Sequence, residues 1–226
     1  GVVPLNSARS IKTNDELALI RQACAVADVA LSKVRDAVKP GVTENELFSI
    51  LTAVNIRYGG ERIDAKLLSA GGNTNPWLQR DASDRIVRPG DLVAMDTDMA
   101  GPLGYMADVS RTYLCGDSKP NEEQMESYKL AYDYLQKCIP LFTVGTSFQE
   151  IARKAPVVPD IYKANRYDCI AHGVGMSDEW PSIAFTDFSL SGFGNYPGEL
   201  QENMVLSTEA SFGREGGREQ VKLEEQ

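Results

Sequence analysis

Apolar residues recur at three- and four-residue steps through Leu17, Ile20, Cys24, Ala27, Leu31, Val34 and Val38, the spacing of one face of a long helix. Thr13 and Glu16, just ahead of it, have the T-x-x-E spacing of a helix capping box, and Pro40 and Gly41 stop it. A second box, Thr43 and Glu46, predicts another helix running to about Asn55. The period then changes. "RIDAKLLSAG" predicts a strand and "LVAMDTDMA" a second, and "GPLG" turns the chain back into "YMADVSRTYL", so the last two form an antiparallel pair. After Pro120 a third helix carries Met125, Tyr128, Tyr132, Leu135 and Ile139 on one side.

One stretch echoes another. "VGTSFQEIA" at 144–152 repeats the pattern of "PGVTENELF" at 40–48, with glycine, small or β-branched residues, then Glu three after Ser or Thr, at an offset of 104 residues. Helix, turn, helix and strands therefore occur twice, and the expected fold class is an internally duplicated α+β domain.

Composition narrows the function classes. With 226 residues, 42% of them hydrophobic, the chain can fill a core, and its formal charge of −9 with scattered Lys and Arg argues against nucleic-acid or anionic-membrane binding. The four cysteines are far apart and lack zinc-type spacing, which reads as reduced, buried thiols in a cytoplasmic protein. No stretch reaches membrane-spanning length. The chain opens on Gly1 and stops at "VKLEEQ", and it reads as a piece of a longer protein.

The chemistry lies in acidic residues set inside strands. Residues two apart on a strand share a face, so Asp96 and Asp98 are expected to point the same way, with Asp108 alongside on the return strand. Three like charges in a half-buried sheet cost on the order of several kcal/mol each unless cations lie between them. Glu209 interrupts "MVLSTEASF", Glu224 interrupts "VKLEEQ", and His172 is the only histidine. Asp96, Asp98, Asp108, His172, Glu209 and Glu224 form a donor set suited to two first-row metal ions.

"DTD…GYMADVSRT", "HGVG", a strand Glu and "VKLEE" resemble, in that order, the pita-bread metallohydrolases, which include methionine aminopeptidase, prolidase, aminopeptidase P and creatinase. The resemblance covers nearly the whole chain. It implies a pita-bread fold over residues 1–226, pseudo-two-fold duplicated, with helices covering a curved antiparallel sheet and a dinuclear metal site. It also implies a creatinase-like N-terminal domain and an extreme C-terminus beyond this chain. Two departures stand out. Asp98 lies ten residues before Asp108 and Asp96 twelve, where the peptidases have eleven, so a carboxylate is added. The peptidases' further histidines are missing: "NTNPW" stands in place of one, and Asp178, Glu179 and Trp180 follow "HGVG".

With "GGERIDAKLLSAGGNTNPW" and "HGVGMSDEWP", the chain is more narrowly similar to dimethylsulfoniopropionate lyases of the DddP type. That resemblance implies a homodimer with two metal ions per site, iron first, with manganese, cobalt or zinc as alternatives. The implied substrate is a small zwitterion, cleaved to dimethyl sulfide and acrylate by β-elimination. Asp178 takes the position of the base, which burial beside Trp180 is expected to tune. Tyr167 lines the substrate pocket, its ring suited to a sulfonium. Trp180 is a second candidate there, while Trp77 and Tyr105 read more readily as core or rim. Two competing readings are a dinuclear hydrolase, acting on Xaa-Pro peptides or a small zwitterionic amide, and a catalytically dead binding module. The missing histidines count against the first, and the retained donor set against the second.

Overall fold

A short helix, α1 (Val2–Arg9), leads into two helices that begin as the sequence predicts. In the computed structural model, which describes residues 2–77, 80–187 and 197–226, both capping boxes close. Thr13 opens α2 (Asn14–Ala37) and Thr43 opens α3 (Glu44–Arg57), each hydroxyl accepting from the Glu N–H three residues on while that carboxylate accepts from the threonine N–H. Among the described residues no helix is long and apolar enough to cross a membrane.

The strands are more broken than their sequence pattern. "RIDAKLLSAG" forms β1 (Arg62–Ile63) and β2 (Leu68–Ala70), because Asp64 bends the chain between them. Its carboxylate pairs with Arg62 at 2.6 Å, and its N–H donates to Asp98 O at 2.9 Å. "LVAMDTDMA" likewise divides into β3 (Leu92–Asp96) and β4 (Met99–Ala100). The break is at Thr97 and Asp98. Asp98 sits at φ +34°, and Thr97 donates its hydroxyl to Ala107 O at 2.8 Å while accepting from Val109 N at 3.0 Å. Asp96 and Asp98 thus do not share one strand face; a kink directs them. The expected antiparallel return is present: β5 (Met106–Ala107) pairs with β4, and β6 (Ser110–Leu114) with β3.

The third helix, α4 (Glu122–Cys138), turns the other way from its apolar pattern. Met125, Tyr128, Tyr132 and Ile139 are exposed, whereas Gln124, Ser127, Ala131, Tyr134, Leu135 and Cys138 are buried. Gln124 fixes this rotation by donating Nε2 to Glu219 Oε2 at 2.7 Å and to Gly90 O at 2.9 Å. The chain continues through α5 (Phe148–Lys154), α6 (Asp160–Lys163), β7 (Cys169–Val174), β8 (Asp178–Ala184), β9 (Leu206–Gly213) and β10 (Gln220–Glu225).

The duplication is visible in the backbone. Gly41 N donates to Val87 O at 3.0 Å and Gly145 N to Leu200 O at 2.8 Å; Val87 N returns to Val42 O and Leu200 N to Thr146 O. Both glycines hold positive φ, +98° and +85°, a conformation that favours glycine. Antiparallel strands run in the order β2-β3-β6 in the first half, and the second half repeats this as β7-β9-β10 with β8 added outside. Each half has its own buried cluster, one around Leu31, Leu47, Leu51 and Met95, the other around Tyr134, Ile151, Ile170 and Phe212. Where β6 meets β10 the halves are joined through hydroxyls: Thr112 Oγ1 donates to Lys222 O at 2.7 Å and accepts from Lys222 N at 3.0 Å.

One buried carboxylate braces the first half. Glu44 has no exposed surface and accepts from Ala70 N at 2.8 Å, Ser83 N at 3.0 Å and Ser83 Oγ at 2.7 Å. Glu44→Ala orphans these donors and should cost about 3 kcal/mol. Thermal denaturation reads this out as a fall of roughly 6–12 °C. Melting within about 2 °C of the parent would show that the brace is dispensable.

Candidate metal centre

Each half contributes three of the six donor residues named from the sequence. Asp96 ends β3, Asp98 lies in the kink after it, and Asp108 sits between β5 and β6. His172 is on β7, while Glu209 on β9 and Glu224 on β10 are cross-strand partners. The carboxylates of Asp96, Asp98 and Asp108 bring oxygens within 4.8 Å of one another, and Asp108, His172 and Glu224 do the same with their donor atoms. Asp108 belongs to both groups. Around His172 Nε2 lie Asp108 Oδ2 at 3.3 Å, Glu209 Oε1 at 3.4 Å and Glu224 Oε1 at 3.6 Å.

Three oxygens there are buried without a hydrogen-bond donor among the described residues: Asp108 Oδ1, Glu209 Oε1 and Glu224 Oε1. Buried carboxylate oxygens are normally satisfied, so such a group calls for a cation. Oxygen donors with one imidazole suit first-row divalent ions. The six residues therefore fit a metal centre.

The same crowding shifts the acids. Burial, then the charge of Glu224, raises Asp96. Burial, with Asp96, Asp178 and Glu224 behind it, pushes Asp98 up to about 8. Asp108 is raised well above the carboxylate range by burial and by Glu224 and Asp96. Burial alone would lower His172, but the Glu209 and Glu224 carboxylates facing its Nε2, with Asp108 beside them, overrule it and the imidazole is raised well above its ordinary value.

The residue that sequence reasoning missed is Lys222. Its side chain is 1% exposed, and its ammonium lies 3.2 Å from Asp96 Oδ2 and 3.0 Å from Glu224 Oε2 while also bonding Glu209. Burial would lower it, yet the charges of Asp96, Glu209 and Glu224 raise it well above the usual lysine value. The signal was present in "QVKLEE": strand alternation puts Lys222 on the same face as Glu224.

The candidates around the donors are less evenly placed. Asp178, at the start of β8, has Oδ1 3.9 Å from His172 Nδ1 and contributes to raising Asp98 and Asp108, so it faces the cluster. Its side chain is 57% exposed, however, and the expected burial beside Trp180 is not found. Tyr167 stands at the cluster, its ring 5.6 Å from Lys222 Nζ. Trp180 is seated edge-on against Phe148, with ring centroids 5.2 Å apart, at the second core. The side chain of Glu179 lies outside the described residues. The four cysteines are free thiols, three buried and Cys24 partly so.

Residues 18–226 match the model of metallopeptidase family M24. The chain belongs to that family. Among curated M24 relatives, the dimethylsulfoniopropionate lyase DddP of Roseobacter denitrificans is 34% identical over 224 residues, a match covering 97% of this chain and 49% of the relative. A Xaa-Pro dipeptidase of Pyrococcus furiosus is 28% identical over 210 residues, covering 91% of this chain and 56% of the dipeptidase. The chain thus spans about half the length of the curated relatives it matches. Among solved structures, the X-Pro aminopeptidase of Thermotoga maritima superposes with a TM-score of 0.82 at 21% identity, covering 98% of this chain and 60% of that one. The prolidase of Pyrococcus furiosus does so with 0.81 at 24%, covering 97% and 62%. These likenesses bear out the expected pita-bread fold, and the M24 family is one of dinuclear metal-dependent enzymes.

Proposed function

We propose that the whole protein is a carbon–sulfur lyase that cleaves dimethylsulfoniopropionate to dimethyl sulfide and acrylate. The observation that carries this reading is the donor set. One histidine in these 226 residues means that the M24 domain itself offers no second imidazole for the scissile carbonyl of a peptide, and Asp98 adds a carboxylate beside Asp96 and Asp108. The 34% identity to a lyase of that name, along 97% of this chain, supports it.

Asp96, Asp98, Asp108, His172, Glu209 and Glu224 would hold two ions, iron in the first instance. Bound there, the ions supply positive charge facing the substrate carboxylate as negative charge builds up on it. The rest falls to side chains. Asp178, at the open rim beside His172, takes the proton from the carbon next to that carboxylate. The C–H electron pair becomes the new C=C bond, the C–S bond breaks, and sulfur leaves with its pair as dimethyl sulfide. Tyr167 presents an aromatic face to the sulfonium, worth about 0.5–2 kcal/mol.

The test is headspace detection of dimethyl sulfide from the metal-loaded, full-length protein. Asp178→Asn should cut the rate by about 100-fold or more at unchanged metal content. A prolyl-dipeptide hydrolysis assay runs alongside on the same preparation. Dipeptide cleavage without gas would overturn the lyase reading, and gas undiminished in the variant would remove Asp178 as the base.

A further inference from the structure

Lys222 is left unused by that chemistry, although it is among the most deeply buried charges in the protein. An ammonium is costly to bury without compensation, and this one is compensated by three of the candidate ligands at once. The oxygens it takes are specific. Glu209 and Glu224 each turn Oε2 to Lys222 and keep Oε1 on the side of His172, where it has no donor. Ser110 Oγ reinforces the division by donating to Glu224 Oε2 at 2.6 Å. With its protons on, the ammonium has no lone pair and is no metal ligand.

The charges also balance. Five carboxylates and one ammonium leave the donor set four negative charges, which two divalent ions neutralise.

We propose that Lys222 is the fixed internal counter-cation of the metal centre, orienting the outer oxygens of Glu209 and Glu224 and matching the site's charge to two divalent ions. It is a positioning residue. The inference rests on the metal-centre reading but not on lyase chemistry, so it stands whichever substrate the site turns over. A lysine present only for packing would matter equally with and without metal. A counter-cation matters most when the ions are gone, since then it carries, with His172 and bound protons, the whole compensation of the acids.

The experiment compares parent, Lys222→Met and Lys222→Arg, each stripped with EDTA and each reloaded with Mn²⁺. Lys222→Met should lower the metal-free melting temperature by roughly 10 °C. Reloading should recover more than half of that difference, and Lys222→Arg, which keeps the charge, should stay close to the parent. After iron loading, the midpoint potential of Lys222→Met should fall below the parent's, because losing a nearby positive charge favours the ferric state. If Lys222→Met folds only when Mn²⁺ is present, that supports the proposal. An equal loss of melting temperature in stripped and loaded protein, an unchanged potential, or Lys222→Arg as damaged as Lys222→Met overturns it. A parent that binds no Mn²⁺ fails differently: the metal-centre reading falls first and takes the inference with it.

Discussion

His172→Ala is expected to leave the protein unable to retain its metal. The imidazole is the only one in the sequence, and its Nε2 sits among Asp108, Glu209 and Glu224 at 3.3–3.6 Å. Nothing else nearby supplies a nitrogen donor of that kind, so the variant keeps a purely carboxylate set that binds first-row ions more weakly. Loss of a residue that merely orients a ligand typically costs 10–100-fold in affinity, so loss of the ligand itself should cost at least about 100-fold. Metal analysis after desalting, with Mn²⁺ titration calorimetry on the stripped protein, reads this out directly. A variant that retains parental stoichiometry and affinity would place the metal elsewhere.

The second large effect is a pH dependence that only the stripped protein shows. Asp96, Asp98, Asp108 and His172 all hold protons more tightly when folded than when unfolded. A group raised in this way stabilises the fold fully below its unfolded value and loses that contribution as pH rises through its folded one. For Asp98 the window runs from its ordinary value of 3.8 up to about 8. His172 acts in the same direction from its ordinary value of 6.5 upward. Each proton so held changes stability by about 1.4 kcal/mol per pH unit. Asp98 alone then accounts for about 4 kcal/mol between pH 5 and pH 8, so the EDTA-treated protein should melt at least roughly 10 °C lower at pH 8 than at pH 5. Mn²⁺ replaces those protons, so the loaded protein should be nearly flat over the range, and the two curves should converge toward pH 5. Parallel curves for stripped and loaded protein would mean that the ions and these protons do not compete.

Much of this architecture was legible because it is written in local rules. Capping boxes at Thr13 and Thr43 name their own helices, and an echo at an offset of 104 residues exposes the duplication. The five candidate carboxylate donors could be picked out because a carboxylate in an apolar, strand-like stretch is conspicuous, and His172 because it is the sequence's only histidine. Other features depend on contacts that no local pattern contains. The rotation of α4 is set by Gln124 reaching Glu219 across 95 positions, so the apolar side chains of Met125, Tyr128 and Tyr132 lose to a polar tether. The break between β3 and β4 follows from Thr97 bonding to the return strand, which a period-two pattern cannot show. Asp178 could be located but its exposure could not, since solvent access depends on what surrounds it. Lys222 was passed over because a lysine near a chain end is usually solvated, and only the five surrounding acids make an inward one sensible.

The hydroxyl-stitched seam between β6 and β10 has a mechanical consequence. Asp96, Asp98 and Asp108 ride on one core and His172, Glu209 and Glu224 on the other, so ions held by them would act as a clasp across two bodies that Ser110 and Thr112 also join. Separating the bodies along that line pulls the two trios of ligands apart. Ion exchange at such a clasp would be coupled to the parting of the halves, and whatever slows the one would slow the other.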